Sequence, residues 1–422
     1  MVLDDRPSPF ERLSGFVLHH RLLCAAFFAL STAVLLSGLP GLRIDNSLES
    51  LFPEGDGRLA SLNAAIREYG TETGVVIALR PPEVFDNGFL EALDRITRKI
   101  GEVGAVSKVV SLTSIDQIRA AGEEIRIVPL IPGIPVSPER MASIRSHAGG
   151  DPMVVGQILS ADGSTAAVAV QLATVPDDES PAGATLDEIA ALLDEEVSGR
   201  FEYHMSGIVV LFTAMNQYSV RDLKIFIPAG ILIVTILLAL VYRTLSGVLV
   251  TLGATLLSVL WTLGLMGLCR VPITVGTTML PVLIMVISVS DAVHLISQYY
   301  EALAEGGGRR RALEVAIYKV GTPCFLTSLT TAIGFSSLLL SGLRPVRDLG
   351  LFAAAGIFFA FLIFIFLVPV VLSCLEPPPR HAAGRLNEGP LARLMAIIAG
   401  MTTRHPRKIL WTAGLVMALG VS

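Results

Sequence analysis

The chain has 422 residues, 52% of them hydrophobic and only 16% charged, with a net charge of -5 and a mean hydropathy of +0.65. That balance excludes an ordinary soluble domain and points to a polytopic membrane protein. The charge is uneven: residues 42–222 hold 14 Lys and Arg against 27 Asp and Glu, or -13, leaving +8 elsewhere, and an acidic polar part argues against nucleic acid as a partner.

In chain order, residues 1–19 read as a cytoplasmic N-terminus and 20–39 as the first membrane span. Ser37-Gly38-Leu39-Pro40 lacks a small-x-small cleavage pattern, so an uncleaved anchor is expected. Residues 42–222 read as a polar external domain. Within it, Thr73–Arg80 has the β-branched content of a strand, and Leu90, Leu93, Ile96 and Ile100 give Asn87–Ile100 helical spacing. Val106–Leu112 reads as the next strand, and the proline-rich run Ile131–Pro135 as a mobile stretch. Met153–Leu159 and Thr165–Leu172 flank Asp162-Gly163, a hairpin signal. A helix at Leu186–Val197 and a strand at Phe201–Met205 complete a ferredoxin-like α+β order with one extra strand or insertion. The acidic clusters Asp177–Glu179 and Asp194–Glu196 read as solvated faces.

A spanning helix needs about 20 apolar residues. Windows at 224–242, 247–268, 274–298, 320–341 and 349–373 make a five-span bundle over 224–373. A linker at 374–408 follows, and Ile409–Ser422 reads as the start of a seventh span. With 14 residues it is shorter than a full crossing, so the chain is expected to be truncated there. Arg6, Arg12, Arg21, Arg243, Arg309, Arg310, Arg311, Lys319 and the basic residues from Arg380 to Lys408 all fall on one side, which the positive-inside rule makes cytoplasmic. Pro228 and Pro281 are expected to kink their helices, and glycines 247, 253, 264, 267, 334 and 342 to permit close packing. The four cysteines (Cys24, Cys269, Cys324, Cys374) lie in or beside apolar spans, so no disulfide framework and no metal site is expected.

One acid stands near the middle of the 274–298 span, in Val289-Ser290-Asp291-Ala292-Val293-His294-Leu295. A carboxyl there costs roughly 2.5–3.5 kcal/mol on insertion scales and is a functional candidate by default. Helical spacing sets Asp291 beside Ile287 and His294, with Gln298 one turn on. Low dielectric disfavours a carboxylate anion, so Asp291 can hold a proton and lose it when water or a donor arrives. Such groups also serve simply as hydrogen-bonding glue between helices, and both readings stand. No P-loop and no nucleophile–base–acid constellation is present, so neither ATP, nor any cofactor, nor an enzymatic activity is expected.

The run Gly321-Thr322-Pro323-Cys324-Phe325-Leu326-Thr327-Ser328-Leu329-Thr330-Thr331-Ala332-Ile333-Gly334-Phe335 resembles the fifth-span signature of the lipid-handling branch of the resistance-nodulation-division (RND) transporters. That branch includes the mycobacterial membrane protein large (MMPL) and sterol-sensing-domain relatives. Ser290–Leu295 and Val346–Phe352 are similar to the branch's fourth span and sixth-span entry. Two positions depart: Ala292 stands where the family often has Tyr, and Ile287 where its pattern has Gly. The resemblance implies half of an RND fold, with a porter-like external domain in the periplasm and the spans in a bacterial inner membrane. It also implies a proton relay of Asp291, His294 and Ser290 with Thr327, Thr330 and Thr331 of the next span. A proton-driven exporter of a hydrophobic or lipid substrate (sterol, hopanoid or glycolipid) follows, with a periplasmic acceptor protein and a homo-oligomer as further partners. Two rival readings are a sterol-sensing-like regulator that binds lipid without transporting it, and a SecD/SecF-like accessory factor of protein export.

Overall fold

Two runs of different chemistry form separate units in the computed structural model: Asn46–Tyr218, and Met1–Asp45 together with Ser219–Ser422. The structure describes residues 9–53, 55, 57–69, 74–121, 124–172, 181–377 and 397–400, with isolated positions up to 417. The Asp177–Glu179 cluster, much of the linker at 374–408 and most of the stretch from Ile409 lie outside the described residues. Among the described residues, six helical stretches are long and apolar enough to cross a membrane: Arg21–Gly41, Ile208–Tyr242, Leu245–Leu268, Leu280–Ala304, Arg309–Leu340 and Arg344–Cys374. The protein is therefore mostly helical and polytopic.

The chain begins with α1 (Pro9–His19) and α2 (Arg21–Leu36). In the polar unit, α3 (Leu48–Leu51) and α4 (Gly57–Tyr69) precede β1 (Gly74–Arg80), α5 (Asn87–Gly101) and β2 (Val106–Val110). A hairpin of β3 (Asp116–Ala121) and β4 (Glu124–Pro129) follows, then α6 (Pro138–Gly150), β5 (Ala166–Leu172), α7 (Pro181–Val197) and β6 (Glu202–Ser206). The main sheet runs β2-β5-β1-β6 with every pair antiparallel. That is the interleaving of two βαβ units in a split βαβ arrangement, with β3, β4 and α6 inserted between them. Alternation places Val75, Ile77 and Leu79 of β1 and Ala166, Val168 and Val170 of β5 on one face, where Leu90, Leu93, Ile96 and Ile100 of α5 join the same core. Asp86 starts α5 by accepting the N–H groups of Gly88 and Phe89.

Three sequence expectations for this unit change. Met153–Leu159 is not a strand; it makes only isolated bridges at Val155 and Leu159. The turn at Asp162-Gly163 nevertheless forms, with Gly163 at φ +71°. The Ser160 hydroxyl, then the Ser164 N–H and hydroxyl, hold the Asp162 carboxyl down at about 2. The stretch around Ile131–Pro135 is anchored, because Leu130, Ile131 and Val136 are buried and the Asn87 amide bonds both backbone groups of Val136, at 3.0 and 2.8 Å. Glu196 is ion-paired rather than merely solvated: Lys99 Nζ lies 2.7 Å from it and Arg95 Nε 3.3 Å. Those hydrogen bonds, Lys99 foremost, lower its pKa.

The apolar unit takes in α8 (Ile208–Tyr242) from Ser219 on, then α9 (Leu245–Leu268), α10 (Leu280–Ala304), α11 (Arg309–Ser336), α12 (Arg344–Leu362) and α13 (Val368–Cys374); a π-helical turn at Ile363–Leu367 joins the last two. Gly264 and Gly267 let α9 meet the end of α2, since a methyl at either would strike the carbonyl oxygen of Leu35 or Gly38. Phe28 of α2 stacks on Trp261 of α9, whose indole N–H donates to Thr32 at 3.0 Å. Gly247 is also close-packed, 2.8 Å from Tyr300 Oη measured from an added Cβ, whereas Gly253, Gly334 and Gly342 face open space and so are not packing sites within this chain. Pro228 lies inside α8. Pro281, by contrast, sits in the first turn of α10, where a missing N–H costs nothing, so it does not interrupt that helix.

Candidate functional site

Asp291 is buried, with 6% of its surface exposed. It reaches that position because α10 buries the row Ile284, Ser288, Asp291 and Leu295, one residue every three or four. The partner comes from α11. Ser328 donates its hydroxyl to Asp291 Oδ2 at 3.2 Å, so the acid is bonded across a helix–helix contact and does not face lipid alone.

A cleft of about 400 Å³ opens beside this pair, lined by Ser290, Asp291, His294 and Gln298 of α10 and by Lys319, Val320, Pro323, Cys324 and Thr327 of α11. It gathers an acid, an imidazole, an amide, an ammonium, a thiol and two hydroxyls between two apolar helices. Gln298 donates to Glu301 at 2.7 Å, which carries the polar row on toward the end of α10.

The sequence-derived residues divide between two places. Ser290, Asp291, His294 and Thr327 share the cleft; Ser290, His294 and Thr327 are exposed in this chain, whereas Asp291 is buried. Thr330 and Thr331 do not line it, and their hydroxyls turn back onto their own helix. Thr330 donates to Leu326 and Thr327 carbonyls at 2.9 and 3.0 Å, and Thr331 to the Thr327 carbonyl at 2.7 Å. Thr327 also back-bonds, to Pro323 at 3.0 Å. The hydroxyl that meets the acid is Ser328, which sequence reasoning passed over, along with Cys324 and the cleft position of Lys319. A signal existed: Ile317, Val320, Cys324 and Ser328 recur at three- and four-residue steps as the buried face of α11.

Among the described residues there is no group of three or more His, Cys, Asp or Glu able to hold a metal ion. A second, apolar groove of about 480 Å³ lies between α9 and the π-turn–α13 segment, walled by Leu249, Val250, Leu257, Leu367 and Val371 among others.

Bundle and cleft together define a polytopic membrane protein with an ionisable group held at a helix–helix contact inside its apolar unit. Residues 86–408 match the MMPL family, and the chain belongs to it. It is 22% identical over 374 residues to the "probable transport protein MmpL12" in two strains of Mycobacterium tuberculosis, covering 86% of this chain and 30% of that protein. It is 31% identical over 90 residues to a membrane protein designated MJ1562 of Methanocaldococcus jannaschii, covering 21% of this chain and 23% of that one. The matched stretches thus span less than a third of the length of these relatives.

Proposed function

We propose that the chain works as part of a proton-motive-force-driven RND transporter of a bacterial inner membrane, exporting a hydrophobic or lipid substrate of the sterol, hopanoid or glycolipid class. The observation that carries this reading is Asp291, buried, bonded by Ser328 of the neighbouring helix, and open to a polar cleft. An intramembrane acid is costly and is therefore a functional candidate by default, and a carboxyl bonded across two helices can report its protonation to both. Each charge moved through 100 mV is worth about 2.3 kcal/mol, enough to bias two conformers a few kcal/mol apart. His294 and Ser290 share the cleft and act with Asp291 in the relay, while Thr327, Thr330 and Thr331 support the helix that faces it. The apolar groove along α9 supports a hydrophobic cargo, because its size falls in the range of ligand pockets. In this reading the 46–218 unit is the periplasmic, porter-like part, the chain is not an enzyme, and the exporter passes cargo to a periplasmic acceptor.

The test replaces Asp291 with Asn in the full-length protein. Extrusion of fluorescent phospholipid and sterol analogues by energised membrane vesicles is expected to fall to the uncoupled background, with membrane expression unchanged. Full extrusion by Asp291→Asn would remove the coupling role.

A further inference from the structure

The cleft beside Asp291 is polar in one direction only. Toward the C-terminal end of α10 it continues through His294 and Gln298, faced by Lys319 of α11. At 1.5 Å per residue, Gln298 lies about 10 Å along the axis from Asp291, and Lys319 about 13 Å from Ser328, which marks the level of the acid on α11. Pro323 extends this polarity, because its missing N–H leaves the Lys319 carbonyl without its helical donor. In the other direction α10 and α11 carry hydroxyls, Ser288, Thr330 and Thr331, but no charged row. Leu283, Ile287, Ala332 and Phe335 pack onto the bundle core, and neither α10 from Leu280 to Ser290 nor α11 from Phe325 to Ser336 contains an ionisable residue.

We propose that the cleft is a one-sided water path joining Asp291 to the membrane face that bears Arg309, Arg310, Arg311 and Lys319, and that Lys319 sets the charge at its mouth. This deepens the reading of Asp291 as the coupling acid and rests on it for its purpose. Lys319 is exposed on the wall of a narrow cleft between low-dielectric helices. Such walls focus the field of a charge, so the mouth favours anions and holds off dissolved cations. Protons need no such passage as free ions. They move between hydrogen-bonding groups, and His294, one helical turn from the acid, brings to the cleft a ring with two nitrogens that can donate and accept hydrogen bonds. A lysine that otherwise reads only as a topology signal thereby becomes the selectivity residue of the path.

The experiment uses the full-length protein with Cys24, Cys269 and Cys374 changed to Ser, leaving Cys324 in the cleft as the reporter. A second reporter, His294→Cys, is placed in a chain that also carries Cys324→Ser. Membrane-impermeant anionic and cationic methanethiosulfonates are added to right-side-out and to inverted vesicles, and reaction rates are read by mass spectrometry. Reaction is expected only from the face bearing Lys319, faster with the anionic reagent. Lys319→Gln should lower the anionic-to-cationic rate ratio about tenfold, the low end of electrostatic focusing in clefts, and Lys319→Arg should retain it. Reaction from the opposite face, reaction at neither reporter from either face, or an unchanged ratio in Lys319→Gln would overturn the proposal. Opposite-face labelling with an inactive Asp291→Asn transporter refutes the path alone, and Lys319-face labelling with an active Asp291→Asn refutes the coupling alone.

Discussion

Asp291 and Ser328 are 37 residues apart in sequence and 3.2 Å apart in space, and that pairing gives the acid its place in the bundle. A hydrogen bond to a charged or strongly polar partner is worth about 1.5–3 kcal/mol, and the unmade bond leaves a buried oxygen exposed to the full cost of desolvation. Ser328→Ala is therefore expected to slow coupled extrusion about tenfold, which corresponds to the lower end of that energy. Ser328→Thr, which keeps the hydroxyl, should stay near the parent rate, and initial rates in energised vesicles compare the two. Equal rates for Ala and Thr would mean that the contact holds helices together without serving the acid. Asp291 was legible because a lone acid in an apolar run is conspicuous. Ser328 was not, because hydroxyls are common in spans and usually bond their own helix, as Thr327, Thr330 and Thr331 all do here.

The contrast between α5 and α11 explains why whole elements differed in legibility. On α5 water and core impose opposite demands, so Leu90, Leu93, Ile96 and Ile100 mark the buried face by composition. On α11 lipid and protein are both apolar. Leu326, Leu329 and Ile333 are exposed while Val320 and Cys324 are buried, and composition cannot tell those faces apart. Small residues mark close approach instead, but only some of them: Gly264 and Gly267 lie against the backbone of Leu35 and Gly38, while a methyl at Gly253 or Gly334 would meet nothing. Gly267→Ala is expected to lower the thermal transition of the detergent-solubilised protein, since overpacking typically costs about 1–3 kcal/mol, whereas Gly253→Ala should leave it unchanged. Similar transitions for both variants would show that the α2–α9 contact does not limit stability. The β3–β4 hairpin escaped the sequence reading for another reason. Its connection is Gly122-Glu123, without the Asn-Gly or Asp-Gly pair that marks a tight hairpin, whereas Asp162-Gly163 carries that mark beside a segment that is not a strand.

At the scale of the whole molecule, charge distribution makes the sharpest claim. The basic residues at Arg12, Arg21, Arg243 and Arg309–Lys319 are expected to hold their loops in the cytoplasm, and the 46–218 unit, joined to that side through the Arg21–Gly41 helix, is then expected on the opposite one. Protease added to intact spheroplasts is expected to cut within 46–218 and to spare the Glu305–Arg309 turn, and inverted vesicles should reverse the pattern. Cleavage of that turn from outside would invert the assignment. Composition and hydropathy by themselves determined that the chain is polytopic, where its apolar helices run and that one acid, Asp291, stands near the middle of an apolar span, because burying a charge or an unpaired backbone in hydrocarbon is too costly to hide in a sequence. Tertiary structure alone decided which neighbours that acid has. Ser328 and Cys324 come to it only through the antiparallel packing of α10 on α11, and because the lipid-facing and protein-facing sides of α11 are both largely apolar, the spacing of Ile317, Val320, Cys324 and Ser328 does not stand out in composition.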